Sequence, residues 1–398
     1  MIALSLVLDC RSMWTSTHDN NFTNMVFASL VIGGTLYIIS STKKHIRINL
    51  DFFLIISFIL IYLLIYFLLP ENIIYIKIVF RYYLSFTILL FCSILSYKSN
   101  DLPSFVRIYI NIIVIIGIVS LFFWTFGSML KIIRPDRTIF SYWSTPLGVS
   151  CPSYYNIYFE TQLINGIIIR NTAIFTEAPM ASLNFTIALL FQNLFNTGDR
   201  YHNFKQVILI ICILSTFSST GYIALILLFV LKALLTNYKH KNIILPFICF
   251  LTIIAVVLVH FILNTKLSSD SGQTRMDDFK AGFQAWKVHP IMGSGLNSTA
   301  YTQFMSNWRS FNLGLSSTIM DILCSGGIYV LALYLGIIAF SGIRSIRLKN
   351  SSNLIYTILI LYLFITTIFS NTYILYFVFA FMAINSIEKY DFARISTL

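Results

Sequence analysis

The chain has 398 residues, of which 57% are hydrophobic and 11% are charged. A soluble domain carries about 25% charged residues, so this chain has too few of them to cover a water-facing surface. The formal net charge of +12 does not indicate nucleic-acid binding, because the basic residues punctuate apolar runs and form no patch. The composition therefore predicts a single integral membrane domain over residues 1–398.

Membrane spans are predicted from apolar runs of about 20 residues, the helix length that crosses a bilayer core. Helices satisfy their own backbone hydrogen bonds in lipid, so these runs predict an all-α polytopic fold with about ten or eleven transmembrane helices. The spans cover residues 23–41, 52–69, 78–96, 105–125, 179–196, 206–236, 243–263, 319–340, 353–371 and 372–387. Residues 1–8 are too few for a span, and we expect them to form the stub of a first helix or an interfacial segment.

Basic residues in the short connections set the orientation, because such residues stay in the cytoplasm. They cluster at residues 43–47, 200–205, 239–241 and 344–349. With these clusters on one side, the alternation closes if the run 206–236 enters and leaves on the same side. Its centre, residues 215–221, is a polar break, so we predict two short helices that meet there. The alternative is one long tilted helix whose Ser and Thr hydroxyls bond back to the backbone.

Two long segments then face the non-cytoplasmic side: the first long loop, residues 126–178, and the second long loop, residues 264–318. Their aromatic residues argue against disorder. In the second long loop, apolar residues recur at helical spacing: Met276, Phe279, Phe283 and Trp286. This pattern predicts an amphipathic helix on the membrane face, with Lys280 and Lys287 directed toward water or lipid headgroups.

Three arginines lie in these loops next to spans, against the trend for basic residues: Arg170, Arg275 and Arg309. Arginine binds phosphate groups through two parallel hydrogen bonds. The arginines therefore predict contacts to phosphate at headgroup level. The alternative is simple solvation, which suits lysines such as Lys131, because long loops are exempt from the orientation rule.

Two carboxylates are candidates for acid–base chemistry. Glu177 ends the first long loop at the start of a predicted helix, where it acts as a general base, favours the helix dipole or pairs with Arg170. Asp321 lies just inside a span, where an ionisable residue indicates function or a pair with a loop arginine. Asp277 is a further candidate base in the second long loop.

A Pro- and Gly-rich segment, residues 289–295, predicts a tight turn in the second long loop. His289, Gly293 and Gly295 are expected to build this turn, with substrate contact as the alternative role. The six cysteines have no metal-ligand spacing, so neither a metal site nor a cofactor is predicted. Cys10 and Cys151 lie outside the spans, where they either form a disulfide or remain free.

Taken together, these segments resemble the O-antigen polymerase and ligase superfamily, and the O-antigen polymerase family within it. Residues 170–179 are similar to its Arg-x-x-Gly-x-Phe-x-Glu-Pro segment, and the broken helix pair is similar at residues 215–221. The stretch 275–286 leads to His-Pro-x-x-Gly-x-Gly at 289–295, and Gly326-Gly327 follows. The resemblance covers roughly residues 165–340.

The sequence departs from the family pattern at three places. Ala173 replaces the family Gly, and Ser218-Ser219 stands where an apical Ser-Arg pair is often found. O-antigen ligases have a His at the start of the span after the second long loop, whereas residues 315–318 read Leu-Ser-Ser-Thr here. This last departure weakens the ligase interpretation and favours the polymerase.

The resemblance implies a metal-independent glycosyltransferase at the periplasmic face of the bacterial inner membrane. It would join oligosaccharide repeat units carried on undecaprenyl pyrophosphate into O-antigen or a similar polysaccharide. Its partners would be that lipid-linked oligosaccharide, the bilayer and a chain-length regulator protein. By this resemblance Arg170, Arg275 and Arg309 would bind the pyrophosphate, and Glu177 or Asp321 would be the catalytic base. An O-antigen ligase and a lipid-linked glycan flippase are the alternatives.

Overall fold

The structure is a computed structural model that describes residues 1–17, 20–42, 50–69, 76–98, 104–141, 148–164, 168–194, 200–235, 270–296, 298–309 and 314–387. The helices of these ranges are α1 (Ile2–Asp9), α2 (Met13–Thr17), α3 (Asn20–Thr42), α4 (Leu50–Phe67), α5 (Ile76–Lys98), α6 (Ser104–Phe123), α7 (Ala178–Leu194), α8 (His202–Ser215), α9 (Ser219–Leu235), α10 (Asp270–Val288), α11 (Thr318–Arg347), α12 (Ser351–Thr366) and α13 (Tyr373–Ile387). A π-helical turn, Trp124–Met129, extends α6.

Four helical stretches of the described chain are long and apolar enough to cross a membrane: Asn21–Ser41, Ile76–Ser96, Phe105–Met129 and Thr318–Arg347. The helices α4, α8, α9, α12 and α13 are shorter and also apolar. Met25, Phe58 and Phe80 are 67%, 62% and 60% exposed on the outside of the bundle, where lipid rather than water suits them. The predicted all-α polytopic membrane fold is confirmed. The predicted span 243–263 lies outside the described residues.

The predicted run 206–236 forms two helices, α8 and α9, joined by residues 216–218. Both free ends of this pair meet the last turn of α7. There, Asn193 Oδ1 accepts hydrogen bonds from Gln206 Nε2 at 3.1 Å and from Lys232 Nζ. Gln206 is near the start of α8 and Lys232 is near the end of α9, so the chain enters and leaves on the same side. The two-helix prediction is confirmed, and the single tilted helix is wrong.

The described basic residues of the short connections lie at one end of the bundle. Lys205 Nζ donates to Asn111 Oδ1 in the first half of α6 at 2.7 Å, and Ser351 Oγ donates to the Leu235 carbonyl at 2.8 Å. The basic end of α11 immediately precedes Ser351. Both long loops lie at the opposite end, called the loop end from here on. This arrangement agrees with the predicted alternation, whereas the clusters at 43–47 and 239–241 lie outside the described residues.

The first long loop is ordered by short strands. Strands β1 (Arg137–Ser141), β2 (Val149–Tyr154) and β3 (Tyr158–Phe159) form an antiparallel sheet, and β4 (Leu163–Ile164) pairs with β5 (Ile168–Ile169). Tyr154 and Tyr158 are buried against Phe123 of α6. Glu160 Oε1 accepts hydrogen bonds from Tyr154 Oη at 2.7 Å and from Ser128 Oγ at 2.6 Å. The predicted order holds for the described part of this loop, and none of its strands was predicted from the sequence.

The N-terminal residues form α1, which is buried inside the bundle. Leu6 and Val7 are fully buried, and the helix packs against α3, α6 and α13. The interfacial alternative for residues 1–8 is therefore wrong. Cys10, which follows α1, is a free buried thiol that accepts a hydrogen bond from Asn184 Nδ2 at 3.3 Å, and Cys151 is also free. The disulfide alternative is wrong as well.

Helix α11 is broken at Gly327, where φ is 60° and ψ is −164°, a conformation essentially restricted to glycine. The turn of the second long loop satisfies the backbone groups that this break frees. Ser294 N donates to Cys324 O, Gly295 N to Ser325 O, Ile328 N to Pro290 O and Tyr329 N to Ile291 O, at 2.9–3.0 Å. A Cβ atom added at Gly293 would lie 2.4 Å from the Ser325 carbonyl, so only glycine permits this approach. The predicted tight turn at residues 289–295 is confirmed.

The helix predicted in the second long loop is α10, and it is confirmed. Asp277, Asp278 and Ala281 are buried on one of its faces. The opposite face exposes Met276 and Phe283 beside two lysines, Lys280 and Lys287. The Lys287 ammonium lies 4.8 Å from the centre of the Phe283 ring. Such a mixed apolar and basic face suits a membrane interface, and its placement on the membrane stays a prediction.

Candidate functional site

A cavity of about 660 Å³ opens at the loop end of the bundle. It lies where the N-terminal segment, the start of α11, the link between α12 and α13, and the second long loop meet. Its polar lining includes Arg11, Thr176, Tyr301, Asp321, Ser370 and Asn371. Of the site residues predicted from the sequence, Asp321 lines this cavity directly.

Arg11, which was not predicted from the sequence, is fixed at the cavity by backbone pairing. Its carbonyl accepts a hydrogen bond from Thr176 N at 3.1 Å, and Met13 N donates to Ile174 O at 2.8 Å. The N-terminal segment thus pairs with the segment that leads to Glu177. Burial lowers the pKa of Arg11, and the charges of Glu177 and Asp321 oppose that shift. Arg11 is therefore the cation between the two candidate carboxylates.

Asp321 lies in the first turn of α11, where its backbone N–H bonds to the Ser317 carbonyl at 3.1 Å. Its Oδ2 atom accepts a short hydrogen bond, 2.5 Å, from Ser370 Oγ. Ser370 belongs to the link between α12 and α13, so this bond joins two elements across the cavity wall. The other carboxylate oxygen has no hydrogen-bond donor among the described residues.

Arg170 fixes the apex of the α8–α9 hairpin. Its Nε and Nη2 atoms donate to the carbonyls of Thr216 and Phe217 at 2.9 and 3.1 Å, and Nη1 donates to Gln162 Oε1 at 3.1 Å. Non-helical backbone inside a membrane bundle needs such partners. Burial lowers the pKa of Arg170 to about 10, and the charge of Glu177 opposes this shift. The apical carbonyls thus occupy part of the guanidinium that the sequence assigned to phosphate.

Glu177 is the half-buried residue at the start of α7. Its carbonyl accepts the hydrogen bonds of Met180 N and Ala181 N, at 3.1 and 3.2 Å, which begin the helix. Within the described chain, no donor is placed to hydrogen-bond the Glu177 carboxylate. Instead the carboxylate lies in the electrostatic field of both Arg11 and Arg170. Glu177 is thus held by charge and remains open to a ligand hydroxyl.

Four side chains interact electrostatically in the order Asp321, Arg11, Glu177 and Arg170, so that their charges alternate in sign. These four residues are called the charged row. Arg275 of α10 adds a cation close enough to lower the pKa of Arg170 further. Its Nη1 atom donates to the carbonyl of Thr366, the last residue of α12, at 3.2 Å. The structure therefore brings Arg170 and Arg275 to one site, although they are about a hundred residues apart in sequence.

Arg309 lies in a different environment, inside the second long loop. Its Nη1 atom lies 2.5 Å from Asp278 Oδ1 and 3.4 Å from Asp277 Oδ2, and its side chain is 6% exposed. Burial raises the pKa of Asp278. Burial acts in the same direction on Asp277, but hydrogen bonds from Ser306 and Arg309 outweigh it and lower the pKa of that carboxyl. Asp277 and Asp278 thus balance the charge of Arg309. Asp277, the further candidate base, is therefore already hydrogen-bonded within its own loop.

His289 contributes its backbone to the turn of the second long loop, because its carbonyl accepts a hydrogen bond from Gly293 N at 2.9 Å. Its ring is exposed. In the described part of the chain, no group of three or more His, Cys, Asp and Glu side chains is placed to hold a metal ion.

A second ion pair, which is partly buried and was not predicted from the sequence, anchors α1. Arg81 of α5 donates from Nη2 to Asp9 Oδ1 at 3.2 Å and from Nε to Tyr373 Oη at 2.8 Å. The other Asp9 oxygen accepts from Tyr373 N at 2.8 Å. An arginine inside an apolar run was a signal for such a partner, because a charge at membrane depth is costly unless it is paired.

A family model described as O-antigen ligase matches residues 206–335 of this chain. The matched region contains most of the α8–α9 hairpin, α10, the turn at 289–295 and Asp321. No curated protein matches the chain. The match supports the O-antigen polymerase and ligase superfamily and indicates a glycan-transferring function in surface glycan assembly, and it does not separate polymerase from ligase. With its apolar helices, the chain is a multi-pass membrane protein that carries such a domain.

Proposed function

We propose that this protein polymerises oligosaccharide repeat units, carried on undecaprenyl pyrophosphate, at the periplasmic face of the inner membrane. The observation that carries the proposal is the family match over residues 206–335, in which the second long loop and the start of α11 line a polar cavity at the loop end. A substrate with a lipid tail and a sugar head would be presented at this depth. No nucleotide sugar is needed, because the lipid pyrophosphate is the leaving group.

In the proposed reaction, a hydroxyl oxygen of the incoming unit attacks the anomeric carbon of the growing glycan. The bond from that carbon to the pyrophosphate breaks, and undecaprenyl pyrophosphate leaves with the electron pair. Arg170 and Arg275, brought together at the hairpin apex, would stabilise the charge on the departing group. Removing one such donor typically slows an enzyme about 10²- to 10³-fold.

The hydroxyl proton needs a base, and Glu177 is the proposed one. Its carboxylate has no hydrogen-bond donor within the described chain, whereas Asp321 already accepts a bond from Ser370. The charges of Arg11 and Arg170 act on this carboxylate from both sides. Asp321, on the other side of Arg11, is the second candidate base.

Ser317 and Thr318 occupy the place where a ligase has its histidine, and their contacts favour the polymerase interpretation. Ser317 Oγ donates to Ile365 O at 2.6 Å, and Thr318 Oγ1 donates to Thr367 O at 2.7 Å. Both hydroxyls fasten the start of α11 to the end of α12. They support a structural junction at this place, with no imidazole to act as the base.

Deletion of the gene, followed by electrophoresis of lipopolysaccharide, tests the proposal. Loss of the polymerase leaves single repeat units on the lipid A core, because ligation continues without polymerisation. A core that carries no glycan would instead indicate a ligase or a flippase. Plasmid-borne wild-type protein should restore the ladder of long chains, which excludes an effect on neighbouring genes.

A further inference from the structure

We propose that Arg11 is a positioning residue of the transferase site, which holds the Glu177 and Asp321 carboxylates in place across the cavity. The inference rests on the proposed function and extends the site to the N-terminal segment. That segment lies outside the region matched by the family model, residues 206–335.

The backbone at Arg11 is held in a conformation that residues with a side chain seldom adopt. Its φ is 53°, in the left-handed region that non-glycine residues seldom adopt. Such a conformation costs on the order of 1–3 kcal/mol and persists only where the surroundings enforce it. Here the chain is fixed on both sides, by the Thr176 N–H on the Arg11 carbonyl and by a β-bridge between Ser12 and Phe175. These contacts direct one specific side chain to the cavity.

Two neighbours of Arg11 are the candidate bases. Pairing of residues 11–13 with residues 174–176 places Arg11 beside Glu177, and Arg11 and Asp321 both line the cavity. A cation between two carboxylates, away from bulk water, lowers the free energy of both ionised forms. Loss of that cation would let either carboxylate turn away from its place at the cavity.

Thr176 supplies an independent sign that a ligand enters here. Its hydroxyl is buried, lines the cavity and has no hydrogen-bond partner among the described residues. An unsatisfied buried hydroxyl costs about 1–3 kcal/mol, so buried hydroxyls normally have partners. The backbone N–H of the same residue binds the Arg11 carbonyl. A substrate hydroxyl or phosphate oxygen beside Arg11 would satisfy this group.

The test uses the full-length protein in lipid nanodiscs, with variants Arg11→Gln and Arg11→Lys. The substrate is the lipid-linked single repeat unit extracted from cells that lack this gene. Arg137→Gln is the matched control, because Arg137 also lies at the loop end but is 57% exposed on β1. Arg11→Gln should lower kcat about 10²-fold, the scale of a misplaced reacting group. Arg11→Lys should recover much of that loss, and Arg137→Gln should match the wild type.

The pH dependence of kcat separates positioning from a purely structural role. In the part of the chain that the structure describes, the titratable groups around Arg11 include Asp9, Cys10, Tyr82, Glu177, Tyr301 and Asp321. Of these, the carboxylates titrate on the acid side, and Asp9 is paired with Arg81. In Arg11→Gln the acid limb of the kcat profile should move up by about one pH unit or more, because an opposite charge that favoured the carboxylates is gone. Asp9→Asn, measured in parallel, should leave the position of that limb unchanged.

Three results would overturn the inference. Arg11→Gln with wild-type kcat and an unmoved acid limb would show that Arg11 does not act on the site. Equal losses of kcat in Arg11→Gln and Arg11→Lys, with the acid limb unmoved in both, would show a structural role alone. A shift of the acid limb in Asp9→Asn but not in Arg11→Gln would show the same. A wild-type protein that forms no polymer in this assay would contradict the proposed function itself, which is a separate outcome.

Discussion

The two long loops place their arginines in contrasting surroundings. In the first, Arg170 faces the hairpin apex and belongs to a charged row whose carboxylates lie at or beside the cavity. In the second, Arg309 is sealed against Asp277 and Asp278 within its own loop. Both arginines lie next to a span and were predicted to bind phosphate. The difference shows that the place of an arginine in the sequence does not tell whether its charge is already balanced.

The contrast has a physical basis in burial. A guanidinium that is removed from water needs a counter-charge or several carbonyl acceptors. Arg309 obtains two carboxylates, which leave little charge to attract an anion. Arg170 obtains neutral acceptors and one carboxylate at a distance, so its positive charge still acts on the site. Arg170 is therefore better placed than Arg309 to attract an anion.

The largest expected effect tests the acids of the charged row. Glu177→Gln should keep the protein in the membrane and lower the polymerisation rate about 10²- to 10⁴-fold, the usual share of a general base. Asp321→Asn should have a smaller effect, because an amide can still accept the Ser370 hydrogen bond. The measurement is polymerisation in vitro with lipid-linked repeat units, at matched protein levels.

The opposite result would assign the catalytic base to the other side of Arg11. An active Glu177→Gln protein beside an inactive Asp321→Asn protein would assign the base to α11. Glu177 would then only favour the dipole of α7, an interaction of about 0.3–1 kcal/mol.

Much of the fold could be predicted from the sequence, because the patterns that indicate helices and their breaks are local. Apolar runs of the right length marked the helices, and the polar residues 215–221 marked the hairpin break. The position of Arg11 between Glu177 and Asp321 could not be predicted from the sequence, because these residues come together only in the tertiary fold. The partner of Arg81 is 72 residues away in the chain for the same reason. The strands of the first long loop escaped because they have two to six residues and no clear alternation.

The next effect tests whether the charge of Arg309 is balanced within its loop. Arg309→Met should destabilise the protein by about 3–5 kcal/mol, the cost of removing one partner of a buried ion pair. Without Arg309 the folded-state pKa values of Asp277 and Asp278 should rise above those of the unfolded chain. A raised carboxyl pKa favours the folded state at low pH, so the thermal stability of Arg309→Met should recover as the pH falls.

A triple variant decides whether Arg309 also touches substrate. Adding Asp277→Asn and Asp278→Asn to Arg309→Met removes the uncompensated charges and should restore stability. If the long-chain ladder returns as well, Arg309 is structural and the contrast between the loops holds. A folded but inactive triple variant would break the contrast and return Arg309 to the phosphate site.

A smaller effect tests how the second long loop is docked on α11. Gly327→Ala should destabilise the docked turn by about 1–3 kcal/mol, because its conformation excludes a side chain. The added Cβ would also lie 2.3 Å from the Ile291 carbonyl. Gly336→Ala is the matched control, since nothing lies within 4 Å of a Cβ there. Limited proteolysis should cut the turn faster in Gly327→Ala alone, and equal rates in both variants would contradict this docking.

The smallest effect concerns Ala173, where the family pattern has glycine. Ala173 has φ 50° and is fully buried. Its N–H donates to Asn171 Oδ1 at 3.1 Å, and its carbonyl accepts from Phe159 N at 3.1 Å. The left-handed backbone explains the family glycine, because an L-residue there costs about 1–2 kcal/mol.

Ala173→Gly should nevertheless change stability by no more than about 1 kcal/mol. Relief of the left-handed backbone is offset by the lost burial of a methyl group, about 0.8 kcal/mol, and by a more flexible unfolded chain, about 0.4–1 kcal/mol. Ala173→Val should destabilise clearly, because a β-branched residue at positive φ is strained and the site is full. Thermal unfolding in detergent measures both variants. A loss above about 2 kcal/mol in Ala173→Gly would mean that packing of the methyl group, rather than the backbone, decides which residue the first long loop accepts beside Glu177.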